Sequence, residues 1–326
     1  MKKETNKKLY LVTGATGHIG TILIQELVKK DCTIRIFCLP SQKDIVPNGV
    51  EVIYGDIRNK EDLLPFFDTT GYEDVTLIHA AAKISILSKE DPTIWDINVN
   101  GTKNIMELAL QSHITKVIYV SSIHALPERP KPELIHETKE FTTNIVEGQY
   151  AKSKAEAARL TLEYANQDLP VCIIHPTGVI GPGDLYHNNH SVLTLQNIHT
   201  KKIPCAIEGG YDFVDVRDVV DGILKCEEKG RNGECYILSG SYVSVSDMFQ
   251  IIHHKKPLTI PTSIVKIISP LYEKISLWLG DTHPLLTPYS LYTLQTNSNF
   301  SHEKATRELG YQPRSIEESI KDSILS

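Results

Sequence analysis

The sequence predicts an α/β protein: a doubly wound parallel sheet with helices on both faces, followed by a smaller, loop-rich C-terminal domain. Three observations carry this. Short, nearly continuous apolar runs with β-branched residues recur at 8–13, 33–39, 50–54, 76–80, 116–120 and 171–175. Helix-patterned stretches separate them, the first over 18–30. A glycine-rich turn joins the first run to the first of those helices.

Strands covered on both faces read as continuous apolar runs, whereas half-exposed strands alternate. Such strands, separated by helices, build right-handed βαβ units and hence a parallel sheet. The pattern changes after Pro176. Prolines and glycines cluster at Gly178, Gly181, Pro182 and Gly183, and the polar stretch His187, Asn188, Asn189, His190 follows. More prolines punctuate the chain at Pro257, Pro261, Pro270, Pro284 and Pro288. Residues 1–178 are therefore expected to form the sheet domain, with 211–240 packing back on it. Residues 179–210 and 241–326 are expected to form the substrate domain over the sheet's open edge.

A chain of 326 residues is long enough for a large core. Its net charge of −6 gives no reason to expect nucleic acid or an anionic membrane as partner. The six cysteines are scattered without C-x-x-C spacing, and the Lys-rich N-terminus runs straight into a strand with no signal-peptide core. Both point to a reduced, cytoplasmic setting. No apolar run approaches the roughly 20 residues that span a bilayer. The nearest stretch, 263–279, is interrupted by Lys266, Glu273 and Lys274. It reads as an amphipathic helix without stable membrane insertion, and peripheral contact with a membrane stays open.

The turn after the first strand is Leu11-Val12-Thr13-Gly14-Ala15-Thr16-Gly17-His18-Ile19-Gly20. In a Rossmann-type loop the first glycine allows the tight turn. The second lets backbone approach a pyrophosphate, and the third packs helix on strand. Gly14, Gly17 and Gly20 have that spacing, and the helix start at Thr16, His18 and Ile19 offers free N–H groups to phosphate. The strand-to-helix context is what makes a glycine triplet informative. The second strand should end beside the adenosine ribose. An acid there favours NAD, a base NADP. No acid stands at the tip, and Ser41 and Lys43 are placed to meet a 2′-phosphate. NADP(H) is therefore favoured, with NAD(H) the alternative if Lys43 is merely solvated. Asp56, followed by Ile57, is placed either to accept from the adenine amino group or to cap the next helix.

Tyr150 and Lys154 lie four apart in a stretch that favours helix, so they share one face. A nearby ammonium is expected to lower a phenol's pKa, and a phenol so tuned can exchange a proton with a carbonyl or alcohol oxygen. Ser122 follows the strand 116–120, at the carboxyl end where parallel sheets bind ligands. Its hydroxyl can hold a substrate oxygen beside Tyr150, or it can simply cap a turn.

These residues resemble, in order, the extended short-chain dehydrogenase/reductases, closest to the dihydroflavonol reductase and 3β-hydroxysteroid dehydrogenase branch. The resemblance spans nearly the whole chain. It rests on Thr13-Gly-Ala-Thr-Gly-His-Ile-Gly20, Gly55-Asp56, His79-Ala80-Ala81-Ala82, Asn98-Val99-Asn100-Gly101-Thr102, Ser121-Ser122 and Tyr150-x-x-x-Lys154. It continues through His175 to Gly183, Phe213 to Val219 and Leu309-Gly310-Tyr311-Gln312-Pro313. The resemblance implies that Ser122, Tyr150 and Lys154 form the catalytic triad, with Lys154 also holding the nicotinamide ribose. It implies that Ala80, Ala81 and Ala82 border the cofactor and that Pro176, Thr177 and Val179 meet its nicotinamide end. Asn98 or Asn100 would support the site or the fold. A homodimer through two helices of the main domain is common in the family.

Two branches of that family compete. Sugar-nucleotide epimerases and dehydratases commonly carry Arg-Asp-Phe-Ile-His-Val, whose Arg clamps a diphosphate. Here the stretch is Tyr211-Asp212-Phe213-Val214-Asp215-Val216, and Ile123-His124-Ala125 follows the serine where those enzymes often have Val-Tyr-Gly. Both departures favour a reductase or dehydrogenase of a free aldehyde, ketone or alcohol. His124 and Tyr186 are candidates to face that small-molecule substrate, and His187 and Trp278 are weaker ones. A non-catalytic cofactor sensor is disfavoured because Tyr150 and Lys154 are both present. His253-His254 reads as a solvated helix end, and no residue cluster implies a metal.

Overall fold

A computed structural model describes residues 8–185, 189–280 and 284–325. The first half runs β1 (Lys8–Thr13), α1 (His18–Leu27), β2 (Thr33–Cys38), β3 (Glu51–Tyr54), α2 (Lys60–Leu63), β4 (Asp74–His79), α3 (Pro92–Trp95), α4 (Thr102–Gln111), β5 (Lys116–Val120), α5 (Gln149–Ala165) and β6 (Val171–Pro176). The second half runs β7 (Gly178–Ile180), α6 (His190–His199), β8 (Ala206–Ile207), β9 (Gly210–Asp215), α7 (Val216–Lys229), β10 (Glu234–Leu238), β11 (Ser241–Ser244), α8 (Val245–His253), β12 (Thr259–Ile260), α9 (Thr262–Trp278), α10 (Pro288–Gln295), α11 (Glu303–Leu309) and α12 (Ile316–Leu325).

Seven strands form one parallel sheet in the order β10-β6-β5-β4-β1-β2-β3. The order reverses beside β1, which places the ends of β1 and β4 at the crevice where doubly wound sheets bind ligands. Successive side chains of a strand point to opposite faces. Leu9 and Leu11 accordingly join one core with α4 and α5, while Tyr10 and Val12 join the other with α1 and α7. That second core also contains Ala305, Leu309 and Tyr311 from the C-terminal end of the chain.

The remaining strands build a three-stranded sheet, β11-β9-β7, and a two-stranded one, β12-β8. Their apolar residues collect in a third core with α6, α8 and α12. The chain therefore crosses between layers: β9 belongs to the small sheet, and α7 and β10 return to the large one. Ion pairs Arg314–Asp218 and Arg217–Asp322 tie the C-terminal segment to α7. All six cysteines are free thiols, four of them buried. His253 does not end in solvent as expected. Its Nε2 lies 2.8 Å from the Ile198 carbonyl and its ring stacks on His199. No helix among the described residues is long and apolar enough to cross a membrane.

Candidate active site

The glycine turn is shaped by close approach. Gly14 has φ +74°, and a Cβ there would lie 2.6 Å from the Ala81 nitrogen, in the chain leaving β4. A Cβ on Gly20 would collide with the Gly14 carbonyl oxygen. Only glycine lets α1 start this near to β1 and β4. No side chain caps the start of α1, so its first N–H groups point outward without an acceptor among the described residues. The His18 side chain is engaged elsewhere. Asn189 donates to its Nδ1 at 2.9 Å, which leaves Nε2–H to donate to the Pro182 carbonyl at 3.0 Å. That pair pins the loop after β7 against the phosphate turn.

Behind the turn, His79 ties three elements together. The Thr102 hydroxyl donates to the Asn98 carbonyl at 2.7 Å, so His79 Nε2–H donates to Thr102 at 3.0 Å. Nδ1 then accepts from the Thr13 hydroxyl at 2.6 Å. Burial holds this imidazole neutral, its pKa pushed down to about 3. Nothing in the local sequence around His79 signals this role. Asn98 is buried and joins the Lys83 backbone to the Ser153 hydroxyl, beside Lys154. It sits in a π-helical stretch, Asp96–Gly101, while Asn100 is exposed and binds only Asp96. Ala80 and Ala81 are half-buried at the end of β4 and Ala82 is exposed.

At the adenosine end, Ser41 and Lys43 are exposed on a short 3-10 helix, Pro40–Ile45. Asp56 does not cap α2; Asn59 does. Both Asp56 carboxylate oxygens accept from Arg58, which lowers the Asp56 pKa. Ile57 is buried, against Gly101. Pro176 and Thr177 are buried where β6 ends, and Val179 is half-buried in β7.

The structure brings Ser122, Tyr150 and Lys154 together where β5 ends. Ser122 Oγ caps a 3-10 turn by accepting from the His124 N–H at 3.3 Å, which leaves its own O–H free to donate. Lys154 is 2 % exposed. Its Nζ donates to the Val120 carbonyl at 2.8 Å and stands 4.7 Å from the centre of the Tyr119 ring. An ammonium has three donors, and this one has a single acceptor and no carboxylate among the described residues. Burial pushes its pKa down to about 7. Tyr150 moves opposite to expectation: burial raises it to about 12, and the Ser122 hydroxyl offsets only part of that. Burial disfavours the charged phenolate more than the Ser122 hydroxyl favours it.

His124 lies at the centre of three tyrosines. Its ring meets Tyr150 edge-on at 5.9 Å and stacks on Tyr211 at 5.9 Å. The Tyr211 hydroxyl is 3.0 Å from Nε2 and the Tyr289 hydroxyl 3.4 Å from Nδ1. Burial keeps the imidazole neutral, its pKa lowered to about 4. The adjoining cleft is lined by His124, Tyr211, Tyr289, Tyr292, Glu128 and Glu147, among others, with no Arg or Lys in its described wall. Tyr289 lies in the proline-broken half of the chain, where no local pattern marks it. Tyr186 and His187 fall outside the described residues. Trp278 is no pocket wall: it is 83 % exposed on α9.

The residues fit a dinucleotide. The uncapped start of α1 suits phosphate, and the under-satisfied Lys154 suits ribose hydroxyls. Fold and site together define the class: a nicotinamide-dependent oxidoreductase of the short-chain dehydrogenase/reductase type. The chain belongs to the NAD dependent epimerase/dehydratase family, whose model matches residues 10–239. It is similar to "Sterol demethylase protein B" of Methylococcus capsulatus, 27% identical over 96% of both chains. It is also similar to the 3-beta-hydroxysteroid dehydrogenase of Mycolicibacterium neoaurum, 24% identical over 93% of this chain and 86% of that one. Among solved structures, gox2253 superposes with a TM-score of 0.81 at 28% identity, over 98% of this chain and 97% of the other.

Proposed function

We propose that the protein is a reductase or dehydrogenase that interconverts a free carbonyl compound and its alcohol, with NADP(H) preferred. One observation carries the reading. The cleft at His124, whose ring meets Tyr150, is walled by neutral aromatic groups and two glutamates, and Tyr211 in that wall stands where the sequence of sugar-nucleotide enzymes commonly carries a diphosphate-clamping arginine. A nucleotide sugar would bring two phosphates to a wall with no cation and two carboxylates. Like charge there costs binding, whereas an uncharged ketone or aldehyde meets no such penalty.

The cofactor supplies or accepts the hydride. Tyr150 holds the proton that moves to or from the substrate oxygen, and the Ser122 hydroxyl, which faces Tyr150, orients that oxygen. Lys154, buried at the foot of the same helix face, holds the ribose and gains charge as its hydroxyl partners arrive. Neutral His124, clasped by Tyr211 and Tyr289, sets the far wall. Exposed Lys43 and Ser41 support the preference for a 2′-phosphate.

A screen of NADPH and NADH consumption against aldehydes, ketones and nucleotide sugars tests this. Oxidation of NADPH by uncharged carbonyl compounds is expected. Thermal stabilisation or turnover with a nucleotide sugar, and none with free carbonyls, would overturn it.

A further inference from the structure

Helix α9 is built inside out. The side chains it buries are Thr262, Val265, Ser269, Glu273 and Ser276, four of them polar. Its exposed face carries Ile264, Ile267, Ile268, Leu271, Tyr272, Ile275 and Trp278, with Ile267 81 % exposed. At 100° per residue these side chains cover an arc of about 140°. The chain's net charge of −6 is not repeated here. Glu273 is the one acid of α9, and it is turned inward, 5 % exposed, accepting from the Ser88 N–H and hydroxyl at 2.7 and 2.8 Å. The charges left outside are Lys266 and Lys274, neither ion-paired among the described residues.

We propose that α9 is an interfacial helix that seats the protein on an anionic lipid surface, lying flat with its isoleucine, leucine and tryptophan side chains among the acyl chains. A broad apolar face with lysines and no acid at its flank is the signature of a helix lying in the membrane plane. A second copy of this chain is the weaker occupant. An isologous contact would set this lysine-bearing face against itself, with no acid on α9 free to pair. The position suits the cleft. The crevice between α9 and α10 is lined by Lys266, Ser269 and Tyr292, and Tyr292 also lines the cleft at His124.

The test uses the full chain with Trp95→Phe, which leaves Trp278 as the only indole of the two. Vesicles of phosphatidylcholine with about 30% phosphatidylglycerol are compared with pure phosphatidylcholine. Trp278 emission is expected to shift to the blue and to be quenched by brominated acyl chains, with the stronger binding on the anionic vesicles. Leu271→Glu with Ile275→Glu should reduce partitioning at least about tenfold, at unchanged circular dichroism and melting temperature. Lys266→Glu with Lys274→Glu should remove the preference for anionic lipid. No emission shift on either vesicle, or partitioning indifferent to Leu271→Glu with Ile275→Glu, would overturn the proposal. So would a dimer in solution that this same double variant converts to monomer.

Discussion

The Tyr211 hydroxyl lies 3.0 Å from Nε2 of His124, across 87 residues of chain. Tyr289 faces the other ring nitrogen. A neutral imidazole has one donor and one acceptor, so one tyrosine donates and the other accepts, and the ring is held at both ends. Tyr211→Phe should release one end. The loss of one neutral hydrogen bond, about 0.5–1.5 kcal/mol, should raise KM for the carbonyl substrate roughly three- to tenfold, with kcat nearly unchanged. Steady-state kinetics decide it; an equal fall in kcat would show that the clasp acts on the proton transfer.

Tyr150→Phe removes the proton donor and keeps the ring. Turnover should fall by roughly 10²–10⁴-fold. NADPH affinity, read by nucleotide fluorescence, should stay nearly constant. Parallel loss of both would remove Tyr150 from its assigned role.

Three buried histidines make stability depend on acid. His79 has its pKa lowered to about 3 by burial, and His124 and His175 have theirs lowered to about 4. The unfolded chain binds protons near pH 6.5 that the folded chain refuses. Stability is therefore full above that pH and is lost as pH falls towards 4, by about 1.4 kcal/mol per pH unit for each histidine. Urea unfolding between pH 7.5 and 5 measures the slope, and His175→Gln should reduce it by one proton. A flat profile would show that these rings titrate normally.

Lys154 acts in the same sense as the histidines, in a higher pH window. Its folded pKa of about 7 lies below the unfolded 10.5. The cofactor-free protein should therefore gain stability as pH rises from about 7 towards 10.5. Lys154→Met should stabilise the cofactor-free protein most below pH 7, by removing a buried, under-partnered cation. Melts of the variant and parent at pH 6 and 9 compare the two, and equal differences at both would contradict it.

Lys43 is exposed on the turn after β2. Lys43→Asp should raise KM for NADPH about tenfold or less, the scale of one partly screened phosphate contact, and leave NADH nearly unaffected. The ratio of kcat/KM for the two nucleotides is the readout, and an unchanged ratio would mean that Lys43 is solvated.

Much of the molecule was legible in the chain itself. The strands 8–13, 33–39 and 116–120 appear as β1, β2 and β5 within a residue, because each carries its own apolar run and turn residues. The glycine turn was legible because backbone constraints of this kind are local. Tyr150 and Lys154 share a face because helix geometry sets that over four residues. The direction of the Tyr150 pKa was not legible, since the burial that dominates it comes from elements distant in sequence.

The sequence by itself determined the sheet, the phosphate turn and the helix that carries the reacting pair, all of them written over a few neighbouring residues. Tertiary structure alone decided which tyrosines clasp His124. Tyr211 and Tyr289 reach it from β9 and α10, and no short-range pattern encodes a contact across 165 residues. It also decided which way α9 faces. Periodicity shows that a helix has two unlike sides, but what the neighbours offer decides which side is buried. Here Ser88 offers hydrogen bonds to Glu273, so the polar side turned inward and the isoleucines were left outside.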